Sequence, residues 1–365
     1  MDTDESAVRG AGFFHVAEGW PGLDFDLRGS AAWTDAMDVP STGVAHGVRE
    51  RRGALRVGLI VVFGAVVLVA TAIVAGPRLL LSQTIRGERR AAGVELRRIA
   101  VDDHEIAYLE GGRGETVILL HGFGAEKDNW TRFAQYLTPH YHVVAPDLPG
   151  FGESSFVDGA SYRIADQARR LAALADALGI ARFHLAGNSM GGQVAGQFAA
   201  LFPQRVLSLI LVDCTGVKSP RTGDLESAIR RGEPNPLVVA SVADFDNRMK
   251  YLFVQEPEIP GFIKRILVAQ AQDRQARHEV ILAQTTPEVE ALEPNLGLIR
   301  ARTLIVWGER DRMRDVSSVP VLQAGIAGAA AVILPECGHV PMSERPEETA
   351  GHVLRFLAGE PPGER

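Results

Sequence analysis

The chain is short of cysteine. Its two, Cys214 and Cys337 among 365 residues, cannot build a disulfide framework and match no metal-ligand spacing. They follow two different strand-like runs with a third run expected between them. Two strand spacings are about 10 Å, beyond the roughly 7 Å reach of a disulfide, so both read as small buried fillers. The sequence also lacks a basic block. Its net charge is −7, which argues against a nucleic-acid partner. No internal repeat is visible. The Gly/Pro loop APDLPGFGES (145–154) has neither the Lys-Ser/Thr ending of a P-loop nor a dinucleotide fingerprint, so no cofactor and no metal are expected. That loop reads as one that shapes the sheet edge.

Charge itself is missing from one long stretch. Val57–Gly76, VGLIVVFGAVVLVATAIVAG, runs twenty residues without a charged side chain. At about 1.5 Å per residue such a helix spans roughly 30 Å, a bilayer's hydrocarbon core. A buried core helix rarely stays apolar all round for so long. A cleaved signal peptide would carry a far shorter leading region than the 55 or so residues here. Residues 56–78 are therefore expected to form a single-pass transmembrane helix. Arg49, Arg51, Arg52 and Arg56 precede it, and Arg78, Arg86, Arg89 and Arg90 follow it. The positive-inside rule gives a near tie, and the side facing the bulk of the chain stays open. Residues 1–55 show no helical or strand period and read as a disordered tail. Met37 leaves open a later start of the native chain. Residues 79–95 read as a linker.

From there the chain alternates strand-like and helix-like segments, the pattern of a mostly parallel sheet covered on both faces. RRIAVDDHEIAYLE (97–110) reads as two strands around an Asp-Asp turn. TVILLHGF, HVVAPDLPG, RFHLAGNS, SLILVD, TLIVWGE and AAVILPE supply further strands, with helices over NWTRFAQYL, 163–178, 190–202 and 346–358. Residues 218–299 hold helical patches and prolines without a convincing strand. They read as a helical cap inserted into a core formed by 96–217 and 300–358. Leu252, Phe253, Phe262, Ile263, Ile266 and Leu267 could make this cap a greasy lid or simply pack it onto the core.

In LAGNSMGGQVAG (185–196), Ser189 falls where a strand gives way to a helix, with Gly187 and Gly191 two residues to either side. A serine on so sharp a bend takes strained angles. Glycines at minus two and plus two relieve the clash and leave the hydroxyl projecting from the top of the sheet. The Met190 amide, at the helix N-terminus, can then stabilise an oxyanion. A serine needs a base. Of ten histidines, His339 in PECGHVPMSERP combines a glycine-flanked loop, the sheet's carboxyl edge and a late position in the chain. The base needs an acid to hold its tautomer. Asp311 in WGERDRMRD, just past a strand end, fits the chain order nucleophile, acid, base; Asp213 and Asp315 compete with it. In LLHGFGAEKDNW, Gly122 and Gly124 let backbone approach a substrate. The Phe123 amide is the expected second oxyanion donor, and His121 orders the loop.

The combination HGFG…PDLPGFGES…GNSMGG…WGxxD…CGH, over about residues 97–358, resembles the α/β-hydrolases. With the preceding apolar span, it resembles the membrane-anchored monoacylglycerol lipases and related small bacterial lipases. The resemblance implies Ser189, Asp311 and His339 as nucleophile, acid and base, with Phe123 and Met190 as oxyanion amides. It also implies a small acyl-ester or lipid substrate. Hydrolases of aromatic ring-cleavage products also carry GNSMGG, but usually with a second glycine-rich loop where this chain has AEKDNW. A ligand sensor that acylates without turnover is the third reading. An aspartate nucleophile is excluded by Ser189.

Overall fold

The computed structural model describes residues 63–64, 75–285 and 291–360. The expected tail, and most of the expected transmembrane helix, lie outside these residues. Among the described residues, no helix is long and apolar enough to cross a membrane. Residues 75–91 form helix α1, through most of the stretch read as a linker. A hairpin of β1 (Val94–Val101) and β2 (His104–Gly111) follows, turning at Asp102 with φ 50°.

β3 (Thr116–Leu120), α2 (Thr131–Leu137), β4 (His142–Pro146), α3 (Ile164–Ala177), β5 (Phe183–Asn188), α4 (Met190–Leu201) and β6 (Val206–Val212) then alternate. Among the described residues, four α-helices come before β7 (Arg302–Gly308): α5 (Asp224–Arg230), α6 (Val242–Leu252), α7 (Gly261–Asp273) and α8 (Gln275–Thr285). α9 (Ser318–Gly325), β8 (Ala330–Leu334), α10 (Pro341–Glu344) and α11 (Pro346–Leu357) complete the chain. The helices α9 and α10 were not visible in the sequence pattern. One spans eight residues with a proline inside and the other spans four, too short for a 3.6-residue period to declare itself.

The sheet order is β1-β2-β4-β3-β5-β6-β7-β8. β2 runs antiparallel to both neighbours, and the remaining pairs are parallel. Strand periodicity divides the core into two layers. Ile118, Leu120, Leu209, Leu211, Ile305 and Trp307 face one side, where α3, α4 and α9 pack. Val117, Leu119, Ile210, Val212, Leu304 and Val306 face the other, against α2 and α11. Burial on both sides explains why these strands read as unbroken apolar runs. It also brings the loops after β3, β5, β6, β7 and β8 to one edge, where ligands bind in such sheets.

A buried charge cluster ties the loop after β3 to the loop after β4. Lys127, fully buried, places Nζ 2.9 Å from Asp147 Oδ2 and 2.8 Å from Glu153 Oε1. The Lys127 and Glu153 amides donate to the two Asp147 carboxylate oxygens, at 2.7 and 2.8 Å. Gly152, at φ +51°, passes so close that a Cβ there would stand 2.2 Å from Asp147. This is what the PDLPGFGE loop does: its glycine lets backbone wrap a buried carboxylate. Burial alone would raise the Glu153 pKa. The hydrogen bond and charge of Lys127, with Arg98 and Arg89, outweigh burial and hold the carboxyl below its ordinary value.

Lys127→Met would strand the Asp147 charge and is expected to cost about 3–5 kcal/mol in urea denaturation. A depressed folded-state pKa stabilises the fold above the unfolded value and ceases to do so as pH falls through the folded one. The stability gap between wild type and Glu153→Gln should therefore narrow on acidification below about pH 4, followed by denaturation midpoints across a pH series.

Candidate active site

β5 turns directly into α4 at Ser189, which has φ 55° and ψ −121°. L-residues rarely adopt this region, and holding one there costs about 1–3 kcal/mol. The surroundings enforce it. A Cβ on Gly187 would stand 2.2 Å from the Gly191 carbonyl oxygen, and one on Gly191 would stand 2.4 Å from the carbonyl oxygens of Leu120 and His121. Both glycines are thus required by backbone packed on backbone. Asn188 adds a brace, its Nδ2 donating to the Val212 carbonyl at 3.2 Å and the His339 carbonyl at 2.9 Å.

His339 follows β8 and is buried. Its Nδ1 lies 2.8 Å from Asp311 Oδ2, so Nδ1–H donates to the carboxylate and Nε2 is left with its lone pair. The other Asp311 oxygen accepts from the amides of Met313 and Arg314 at 2.7 and 2.9 Å. Asp213, at the end of β6, faces the same pair. One of its oxygens accepts from the Gly308 amide at 2.9 Å and the other is buried without a partner. Burial, then the Asp311 charge, push its pKa well up, because two adjacent carboxylates cannot both ionise cheaply. Asp311 is thus the carboxyl that holds the His339 ring, and Asp213 is the neighbour on which burial favours a proton. Asp315 lies elsewhere, paired with Arg221 at 3.0 Å.

The two expected amide donors flank this point. Neither the Phe123 nor the Met190 N–H has an acceptor among the described residues. The second is one of the unsatisfied donors at the start of α4. Gly122 packs so tightly against the bend that a Cβ would meet Ser189 Cβ at 3.1 Å, and Gly124 has φ +65°. His121 is fully buried. Its Nε2 accepts from the Leu148 amide at 2.9 Å, which puts the proton on Nδ1 to donate to the Gly122 carbonyl at 2.8 Å. Burial lowers its pKa, and it stands as a neutral tie between two loops.

A family model described as "alpha/beta hydrolase fold" matches residues 115–346. The chain belongs to the α/β-hydrolase family. This hydrolase is 36% identical over 283 residues to Lipase 1 of Psychrobacter immobilis, covering 74% of this chain and 87% of the relative. It is 29% identical to monoacylglycerol lipase ABHD6 of Homo sapiens, covering 74% and 84%. Among solved structures it resembles a membrane phospholipase A described as a bacterial virulence factor. That likeness has 46% identity and a TM-score of 0.79, and covers 84% of this chain and 98% of that one.

Ser189 and His339 line one cavity of ≈ 340 Å³, walled by the sheet edge and by α6, α7 and α8. Among the described residues no hydrogen bond joins Ser189 Oγ to the His339 ring; in unliganded hydrolases such contacts are often long. Leu252, Phe253 and Leu267, expected in the cap, line this cavity, and Leu252 and Phe253 also pack onto the core. Phe262 is exposed instead. Asp213, Asp311 and His339 bring ligand atoms within 4.8 Å of one another. Those of Asp311 and His339 Nδ1 are already engaged in hydrogen bonds. Cys214 and Cys337 are buried free thiols.

The sequence reading missed Asn188, Arg248 on α6 and His278 on α8, since no local signal marks a side chain whose partner lies a hundred residues away. The end of α6 also holds the histidine loop: the His339 amide donates to the Leu252 carbonyl at 2.8 Å. A Cβ on Gly338 would stand 2.5 Å from that same oxygen. Gly338→Ala should therefore lever α6 from the loop. About 1–3 kcal/mol of lost stability and faster proteolysis of 218–299 are expected, read by denaturation and by timed digestion.

Proposed function

We propose that this hydrolase cleaves the acyl ester of a lipid through a covalent acyl-serine, in the manner of the monoacylglycerol lipases it resembles. Ser189 Oγ attacks the ester carbonyl while His339 Nε2 takes its proton. Asp311 holds the ring in the required tautomer and stabilises the imidazolium. The carbonyl oxygen, now negative, is held by the amides of Phe123 and Met190. The imidazolium gives its proton to the departing alkoxide. Water then enters, gives a proton to His339 and attacks the acyl carbon; the acyl C–Oγ bond breaks as the imidazolium returns that proton to Ser189 Oγ, and the fatty acid leaves. The observation carrying this reading is the 2.8 Å contact of His339 Nδ1 with Asp311, beside a strained Ser189 on the wall of a largely apolar cavity.

The lipase relatives favour an ester over the carbon–carbon bond of a ring-cleavage product. The similarity to a membrane phospholipase A supports a second reading within the same chemistry, a glycerophospholipid in place of a monoacylglycerol. Residues 57–76 would hold such an enzyme at the bilayer, where acyl lipids partition.

Ser189→Ala should lower kcat/KM for monoacylglycerols and p-nitrophenyl esters by about 10⁶-fold with an unshifted melting temperature. Persisting ester hydrolysis, or turnover of a ring-cleavage dienoate alone, would remove the assignment. A burst of stoichiometric acylation with no further turnover would point to a sensor. Asp311→Asn should cost about 10⁴-fold in kcat, whereas Asp213→Asn should cost under about tenfold, because the His339 ring is hydrogen-bonded to Asp311 and Asp213 accepts from the Gly308 amide instead. Equal losses would mean that both carboxyls support His339, and a larger loss in Asp213→Asn would make Asp213 the acid.

A further inference from the structure

Arg248 stands on α6 and lines the cavity that Ser189 and His339 share. Its Nη2 donates to the Phe123 carbonyl at 3.1 Å, which places the guanidinium beside the residue whose amide is the proposed oxyanion donor. No carboxylate among the described residues pairs with it. Of the acids on the cavity wall, Glu126 is taken by Arg274 at 3.2 Å and Glu279 accepts from Gln275 at 2.8 Å. Burial pulls the Arg248 pKa down to about 10, so it stays a cation at neutral pH, desolvated and uncompensated. His278, packed on Phe123 at 5.6 Å between ring centroids, lines the same cavity, and its Nε2 is buried without a partner. Burial and the charges of Arg277, Arg248 and Arg274 lower its pKa to about 3. It is a neutral donor or acceptor in a positive field, inside a protein whose net charge is −7.

A half-buried guanidinium without an anion is costly, and it is well suited to bind a phosphate through two N–H groups. We propose that Arg248 anchors the headgroup phosphate of a glycerophospholipid while Ser189 attacks its acyl ester, with His278 Nε2 as a second donor. This rests on the reading of Ser189 as nucleophile and names the substrate class of that site. In such a lipid the phosphate lies a few bonds along the glycerol from the scissile ester, as Arg248 lies a short way along the cavity wall from the oxyanion loop. A monoacylglycerol offers hydroxyls there and leaves the charge unneutralised. A fatty acid carries its carboxylate at the cleaved carbon, beside Ser189. Arg248 would thus set specificity among lipids with the same acyl chain.

The test pairs 1-hexanoyl-lysophosphatidic acid with 1-hexanoylglycerol, which differ in the phosphate alone and avoid micelles. Wild type should favour the phosphate-bearing substrate by about 30-fold or more in kcat/KM. Arg248→Met should bring that ratio near unity, mostly through loss on the phosphate substrate, and Arg248→Lys should fall between. No preference in wild type overturns the proposal, and so does an equal loss on both substrates in Arg248→Met, which would leave Arg248 as a support for the oxyanion loop. Should Arg248→Met fail to fold, the wild-type ratio and Arg248→Lys decide. Hydrolysis of both substrates persisting in Ser189→Ala would strike the nucleophile assignment and not the phosphate anchor.

Discussion

The bend at Ser189 is the constraint on which the rest of the site depends. A strand of the central sheet stops and a helix begins with one residue between them, and that residue takes a backbone conformation that L-residues avoid. The strain is held because Gly187 lies against Gly191, and Gly191 against the backbone of Leu120 and His121. Any side chain at these positions would force the two layers apart. The same contact sets the Ser189 hydroxyl, the start of α4 and the loop after β3 around one point, so the proposed nucleophile and both proposed oxyanion amides are arranged by a single piece of backbone packing.

Around that point the protein spends charge unevenly. Asp311 is fully satisfied, by two amides and an imidazole. Asp213 beside it has one oxygen without a partner, and burial with the Asp311 charge pushes its pKa up. Lys127 and Arg98 together balance Asp147 and Glu153 beneath the loops and give those loops a rigid base. On the cavity wall the balance goes the other way: Arg248 has a carbonyl and no carboxylate. Compensated charges hold the scaffold, and the uncompensated one faces the space where a substrate would sit.

The helices between β6 and β7 do more than cover this space. Through Leu252 the end of α6 accepts the His339 amide, and through Arg248 the same helix touches the Phe123 carbonyl. Glu344 binds the Gly338 amide and also the amides of Val254 and Gln255. The histidine loop, the oxyanion loop and α6 are therefore joined by hydrogen bonds, so the position of α6 bears on both halves of the proposed chemistry.

The strands with unbroken apolar runs, and the helices with a clear stripe such as α3 and α11, were legible in the amino-acid order, because burial on both faces, or along one, leaves a local period. So were Ser189, His339 and the glycines around them, since a bend that admits no Cβ must be written as glycine at fixed offsets. α9 and α10 were too short to leave a period. The brace from Asn188 and the placing of Arg248 and His278 in the cavity were decided by the fold alone. Each depends on which strand ends lie side by side and on which charges share a buried volume, and long-range proximity has no local signature in the chain.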